Sequence, residues 1–175
     1  DGRELPSAVT IWTAGFTAPD LAARSGLRTD AAGRLLTDET LTSIDYPRIV
    51  AAGGAAAPSG EPLRMSCQAA IPLGVQAANT VLSRIAGTEP EVISMAFVGQ
   101  CISLGRAGGI IQSARTDDTA LPLFVGGRMA AAIKEAVCAS TVSALARAAR
   151  KPSSVFWFKG GKRQRRLAAA AVPVP

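Results

Sequence analysis

Two short stretches of this sequence have residue types and spacing suited to chemistry. Gly53-Gly54 closes the compact apolar run Ile49-Val50-Ala51-Ala52, and Cys67-Gln68-Ala69-Ala70 heads a long helical pattern. Glycine lets backbone approach a bound group closely. A helix start presents free N–H groups and the positive end of a dipole, so it stabilises negative charge placed against it. Other chemistry is excluded by residue type. The chain has no histidine, which removes Ser-His-Asp and Cys-His sites, histidine-bearing metal sites and a histidine pH switch from within it.

Cys67, Cys101 and Cys138 are scattered, with no CxxC pair. That spacing suits neither a disulfide framework nor a zinc site, and fits buried thiols in a reducing cytosol. Cys67 has no sequence neighbour for a dithiol mechanism. Gly105-Arg106-Ala107-Gly108-Gly109 has the wrong spacing for a dinucleotide fingerprint and no βαβ context.

The elements that must position these residues read as an α/β chain. Ala8 to Thr13 is β-branched and aromatic, hence a strand; Leu21 to Ala23 follows Pro19 as a short helix; Gly33 to Asp38 is a short strand. Ile49 to Ala52 suits a buried parallel strand. Ile71, Val75, Ala78, Val81, Leu82 and Ile85 recur at helical spacing and predict an apolar face, with Pro72 marking where the regular helix begins. Val92 to Val98 and Ile102 to Ile111 predict antiparallel strands, and Leu121 to Val125 a last one. Arg128 to Arg150 predicts the longest helix, with Met129, Ile133, Val137, Val142 and Leu145 on its apolar side and Pro152 after its end. No apolar run is expected to reach the roughly 18–20 residues that span a bilayer.

The charge is uneven. Of 19 Lys+Arg against 13 Asp+Glu, the whole excess of +6 lies in the last 25 residues, so the body is neutral and nucleic acid is not the expected partner. Phe156, Trp157 and Phe158 precede Lys162, Arg163, Arg165 and Arg166 in that tail. Aromatics beside a basic cluster suit an anionic membrane surface. The tail has no core-forming pattern and is expected to fray. The opening Asp1-Gly2-Arg3-Glu4 lacks an initiator Met, and the chain is expected to belong to something longer.

In order, Thr13-Ala14-Gly15-Phe16, Pro47 to Ala55, Cys67-Gln68-Ala69-Ala70 and Gln100 to Arg106 resemble the C-terminal half of the FAD-dependent pyridine nucleotide–disulfide oxidoreductase family. The resemblance covers roughly residues 1–150 and is greatest to the type II NADH dehydrogenase branch. It implies that residues 1–57 end the NAD(P)H domain and return a strand to the FAD domain. Residues 58–150 would be the C-terminal interface domain, and 151–175 the basic aromatic tail.

By the same resemblance, Gly53 matches the glycine at which backbone approaches flavin, and Gly54 stands where an aspartate to the ribityl chain is expected. That departure removes a charge-assisted hydrogen bond, about 1.5–3 kcal/mol. Gln68 and Ala69 would offer backbone N–H groups to the pyrimidine edge of the ring. Pro72 stands in the region where the quinone-reducing branch carries a second Gln or Glu, so a quinone is implied less strongly than flavin. The GxGxxG motifs are expected upstream of residue 1.

Two functions follow as expectations. One is the C-terminal part of a flavin-dependent NAD(P)H dehydrogenase passing electrons through FAD to a quinone-like acceptor, inactive as an isolated fragment. Flavin does the chemistry in that class, and no acid–base residue is assigned. The other is a non-catalytic dimerisation and membrane-docking module. A cytoplasmic homo-oligomer, peripheral on the cytoplasmic face of the membrane, fits both.

Overall fold

The computed structural model describes residues 2, 4, 6–11, 15–160 and 162–170. It is an α/β arrangement with two small sheets and two long helices. After a single helical turn, α1 (Leu21–Arg24), comes a parallel pair, β1 (Leu35–Thr37) and β2 (Ala56–Pro58), with Leu35 opposite Ala56 and Thr37 opposite Pro58. The segment between them is folded by Asp38, whose Oδ1 accepts from the N–H groups of Thr40 and Thr42 at 2.8 and 3.0 Å. Such local side-chain bonds favour a turn over a continued strand.

α2 (Cys67–Ile85) begins five residues earlier than its proline suggested. Ser66 caps it, its Oγ accepting from Ala69 N–H, so Pro72 lies inside the helix and deprives only the Gln68 carbonyl of its i+4 donor. The buried face of α2 also differs from the expected one. Ala69, Pro72, Leu73, Gln76, Ala77 and Thr80 are buried, while Val81, Leu82 and Ile85 are exposed. Polar residues occupy the core face because loop carbonyls meet them: Gln76 Nε2 donates to Glu91 O at 2.5 Å and Thr80 Oγ1 to Thr40 O at 2.6 Å. Around Leu73 the core gathers Leu35, Leu41, Ile93, Met95 and Phe97, with Trp157 packed at its margin.

The second sheet is antiparallel, in the order β3 (Gly99–Ser103), β4 (Gly109–Ala114) and β5 (Ala120–Gly126). Residues 92–98 form no strand, and Ile102 to Ile111, expected as one strand, is broken at 104–108 by the turn between β3 and β4. α3 (Gly127–Arg150) follows β5 directly and packs its buried Ala130 on β4. Gly109 permits this approach, because a Cβ there would stand 3.0 Å from Ile102 O and 3.1 Å from Ala131 N.

The rest of α3 departs from expectation. Met129, Ile133, Val142 and Leu145 are exposed, not buried. By length and composition α3 is apolar enough to cross a membrane, contrary to the reading of the sequence, because Lys134 and Glu135 are adjacent and leave long apolar flanks.

Three other expectations shift. The strand expected at 49–52 is replaced by β2, with Gly53–Ala55 forming a 3-10 turn ahead of it. Ala8 to Ile11 is not a strand, and Trp12 to Ala14 lie outside the described residues. The tail does not fray over its described residues: Phe158 O accepts from Ala96 N–H at 2.7 Å, and α4 (Arg163–Ala170) follows.

Candidate functional site

The first turn of α2, the start of β3, one side of α3 and the aromatic tail enclose an open cleft of about 1340 Å³. α2 contributes Ser66, Cys67, Gln68 and Ile71 to its wall. Capping explains which α2 donors are free. Ala69 N–H is held by the cap, 3.1 Å from Ser66 O and 3.4 Å from its Oγ, and Ala70 N–H bonds Ser66 O at 2.8 Å. The N–H groups of Cys67 and Gln68 have no acceptor among the described residues. Of the two donors anticipated for a ligand, Gln68 is therefore available and Ala69 is not.

The Gln68 side chain is engaged elsewhere. With its amide nitrogen turned toward β3, it donates to Gly99 O at 3.1 Å and accepts from Val98 N–H at 3.1 Å. Arg64 meets the same carbonyl at 3.1 Å, and its Nε bonds Asp118 at 2.7 Å. Its guanidinium lies 4.9 Å from the centre of the Phe97 ring. Gly99 O thus ties the α2 lead-in to the sheet.

Electrostatically, the cleft lining contains Arg34, Arg64 and Lys134 and, among the described residues, no carboxylate. Two of these cations are already paired. Arg34 Nε lies 2.6 Å from Asp30 Oδ2. Burial acts to raise the Asp30 carboxyl, but hydrogen bonds from the Arg34 N–H and guanidinium outweigh it and hold the pKa below the usual range. Lys134 makes no ion pair among the described residues, and with the α2 donors it favours a ligand carrying negative charge.

Gly53 and Gly54 lie beside the lead-in but do not line the cleft. Gly53 has φ +65°, which favours glycine, and a Cβ there would stand 3.7 Å from Ala70 O. A Cβ on Gly54 would meet only Met65 Cγ, at 3.9 Å.

The cysteines differ from expectation. Cys67 and Cys138 are exposed, and both line a smaller cavity of about 530 Å³, although 71 residues separate them in sequence. Cys138 reaches it from α3, which local spacing could not reveal. A thiol-reactive maleimide is expected to label Cys67 and Cys138 quickly and the half-buried Cys101 slowly. Peptide mass spectrometry checks the order, and Cys101 reacting first would contradict it.

The tail supplies the last wall and the largest correction. Trp157 is half-buried, its Nε1 donating to Ser94 O at 2.9 Å, while Phe156 and Phe158 meet edge-on at 5.4 Å. Arg163, expected in a free basic cluster, is 4% exposed. Its guanidinium grips Glu39 through Nε and Nη2, both at 2.8 Å, and donates to Glu61 O and Pro58 O, also at 2.8 Å. Burial acts to raise the Glu39 carboxyl, yet these bonds, with one from Gln164, hold it below the usual carboxylate range. Lys162, Arg165 and Arg166 of the same cluster are exposed.

The chain matches no protein-family model. Over 112 residues, 62% of its length, it is 31% identical to NADH dehydrogenase-like protein MT1860 of Mycobacterium tuberculosis (strain CDC 1551 / Oshkosh). The same figures hold for NADH dehydrogenase-like protein Rv1812c of Mycobacterium tuberculosis (strain ATCC 25618 / H37Rv). The match covers 28% of the length of either relative. The chain is thus distantly similar to part of NADH dehydrogenase-like proteins.

Proposed function

We propose that this chain is the C-terminal part of an oxidoreductase, specifically a flavin-dependent NAD(P)H dehydrogenase, and that its cleft receives the flavin ring. The observation that carries the reading is that Cys67 and Gln68, whose N–H groups have no acceptor among the described residues, line one cleft with Lys134 and with no carboxylate among those residues. A flavin takes a hydride from a reduced nicotinamide and passes the electrons to an acceptor. The residues present fit the ring: the N–H groups of Cys67 and Gln68 would meet its pyrimidine edge, where a reduced ring carries negative charge. Ile71 and Val98 supply apolar wall. The similarity to NADH dehydrogenase-like proteins supports the same class.

The test uses the full-length protein. It is expected to purify with bound FAD and to oxidise NADH or NADPH, whereas residues 1–175 alone are expected to bind no FAD and turn nothing over. Gly54→Asp is expected to tighten FAD binding by roughly tenfold or more, because it restores a charge-assisted acceptor. The neighbouring Met65 Cγ leaves ordinary contact distance for the new side chain. A full-length protein that binds no flavin at saturating FAD would falsify the reading.

A further inference from the structure

Residues 155–160 run alongside Ser94 and Ala96 as a strap, and three kinds of contact hold the tail there. Main chain is one: Ala96 N–H donates to Phe158 O at 2.7 Å, and Gly160 N–H donates to Ser94 Oγ at 3.2 Å. The Trp157 indole is the second, fixed to Ser94 O and packed at the core margin. The third is Arg163, just beyond the strap, seated in a pocket made by Glu39 and the carbonyls of Pro58 and Glu61. That pocket joins the tail to the β1–β2 region, 124 residues earlier for Glu39. Between these anchors Phe156 and Phe158 are themselves mostly exposed, yet both line the cleft.

We propose that Glu39 and Arg163 are a positioning pair for the cleft. Seating Arg163 draws the strap taut and holds Phe156 and Phe158 as the aromatic wall against which a planar apolar ring lies. The inference rests on the reading of the cleft as a ring-binding site. The pair touches no ligand itself and acts through the strap. Four hydrogen bonds from one guanidinium fix direction as well as charge, so a lysine, with its rotatable point charge, cannot reproduce the seat. The aromatic side chains offer stacking area to a planar, electron-poor ring, and the lining, without a carboxylate among the described residues, supplies no counter-charge for a cation.

The experiment uses the full-length protein in which Trp157 is kept and every other tryptophan, Trp12 included, is replaced by Phe, with menadione as the ring probe. Two quantities are read: acrylamide quenching of Trp157, and the menadione dissociation constant from quenching of the same emission. Arg163→Lys is expected to raise acrylamide quenching and to weaken menadione binding roughly threefold to tenfold, the scale of one aromatic contact. Arg163→Ala is expected to do the same and to recover both readings in millimolar methylguanidinium, which a lost fold would not.

Phe158→Ala leaves the seat intact, so it is expected to weaken menadione binding without changing acrylamide quenching. Wild-type quenching in Arg163→Lys would show that the pair does not hold the strap. Unchanged menadione binding in Phe158→Ala, or none in the parent, would show that the strap meets no ring. Flavin content and NADH oxidation are scored separately, so failure of the flavin reading is distinguishable from failure of the latch.

Discussion

Replacing Glu39 by Ala is expected to lower the stability of the protein by about 3–5 kcal/mol, the cost of leaving one partner of a buried ion pair alone. Arg163 is 4% exposed and the Glu39 side chain 12%, so both charges of the pair are largely withdrawn from water. The two backbone carbonyls would still accept from the guanidinium, but its charge would have no counter-ion.

Urea denaturation measures the loss. Adding Arg163→Met to Glu39→Ala should return part of it, because it removes the buried charge left without a partner. A Glu39→Ala variant within about 1 kcal/mol of the parent, the range of a surface ion pair, would show that the pair behaves as an exposed one.

The same pair predicts a pH dependence with a definite sign. The Glu39 pKa is lowered in the folded state, so the unfolded chain binds the proton more readily. The stabilisation is complete above the ordinary glutamate value of about 4.3 and is lost as pH falls through the lower folded value. Stability of the parent should therefore drop between neutral pH and the acid range more steeply than that of Glu39→Ala. Parallel profiles would mean that another carboxylate, such as Asp30, carries the acid sensitivity.

Gly99→Ala is the second large effect expected. A Cβ at this position would overlap the Gln112 carbonyl across the β3–β4 ladder. The obstructing atom is backbone, so no rotamer change relieves it. Overpacking of this kind costs about 1–3 kcal/mol and occasionally more.

The consequence extends to the site, because Gly99 O receives both Arg64 and the Gln68 amide. Shifting the strand start releases the clamp on the first turn of α2. Thermal unfolding should show the loss, and hydrogen exchange should show faster opening at Val98 and through the β3–β4 ladder. A variant as stable as the parent, with unchanged protection there, would mean that the strands separate at Gly99 without cost.

What the sequence determined by itself is what depends on neighbours along the chain. Periodicity placed α3 and all but the first turn of α2, because hydrogen bonding within a helix is local, whereas the turn between β3 and β4 falls inside Ile102 to Ile111, which reads as one strand. The absence of histidine and the basic surplus of the tail are likewise complete in the sequence.

Tertiary structure decided which faces those elements bury and which distant residues meet. α2 turns Gln76 and Thr80 inward and leaves Leu82 and Ile85 outside, since the carbonyls of Glu91 and Thr40 satisfy the polar pair. Hydropathy alone cannot anticipate acceptors supplied by loops elsewhere. Arg163 reads as a solvated charge among other charges until Glu39 and two carbonyls close around it. Cys138 joins Cys67 at one cavity only once α3 is in place. In each case a polar or reactive group takes its role from partners far away in sequence, and desolvation makes those partners decisive.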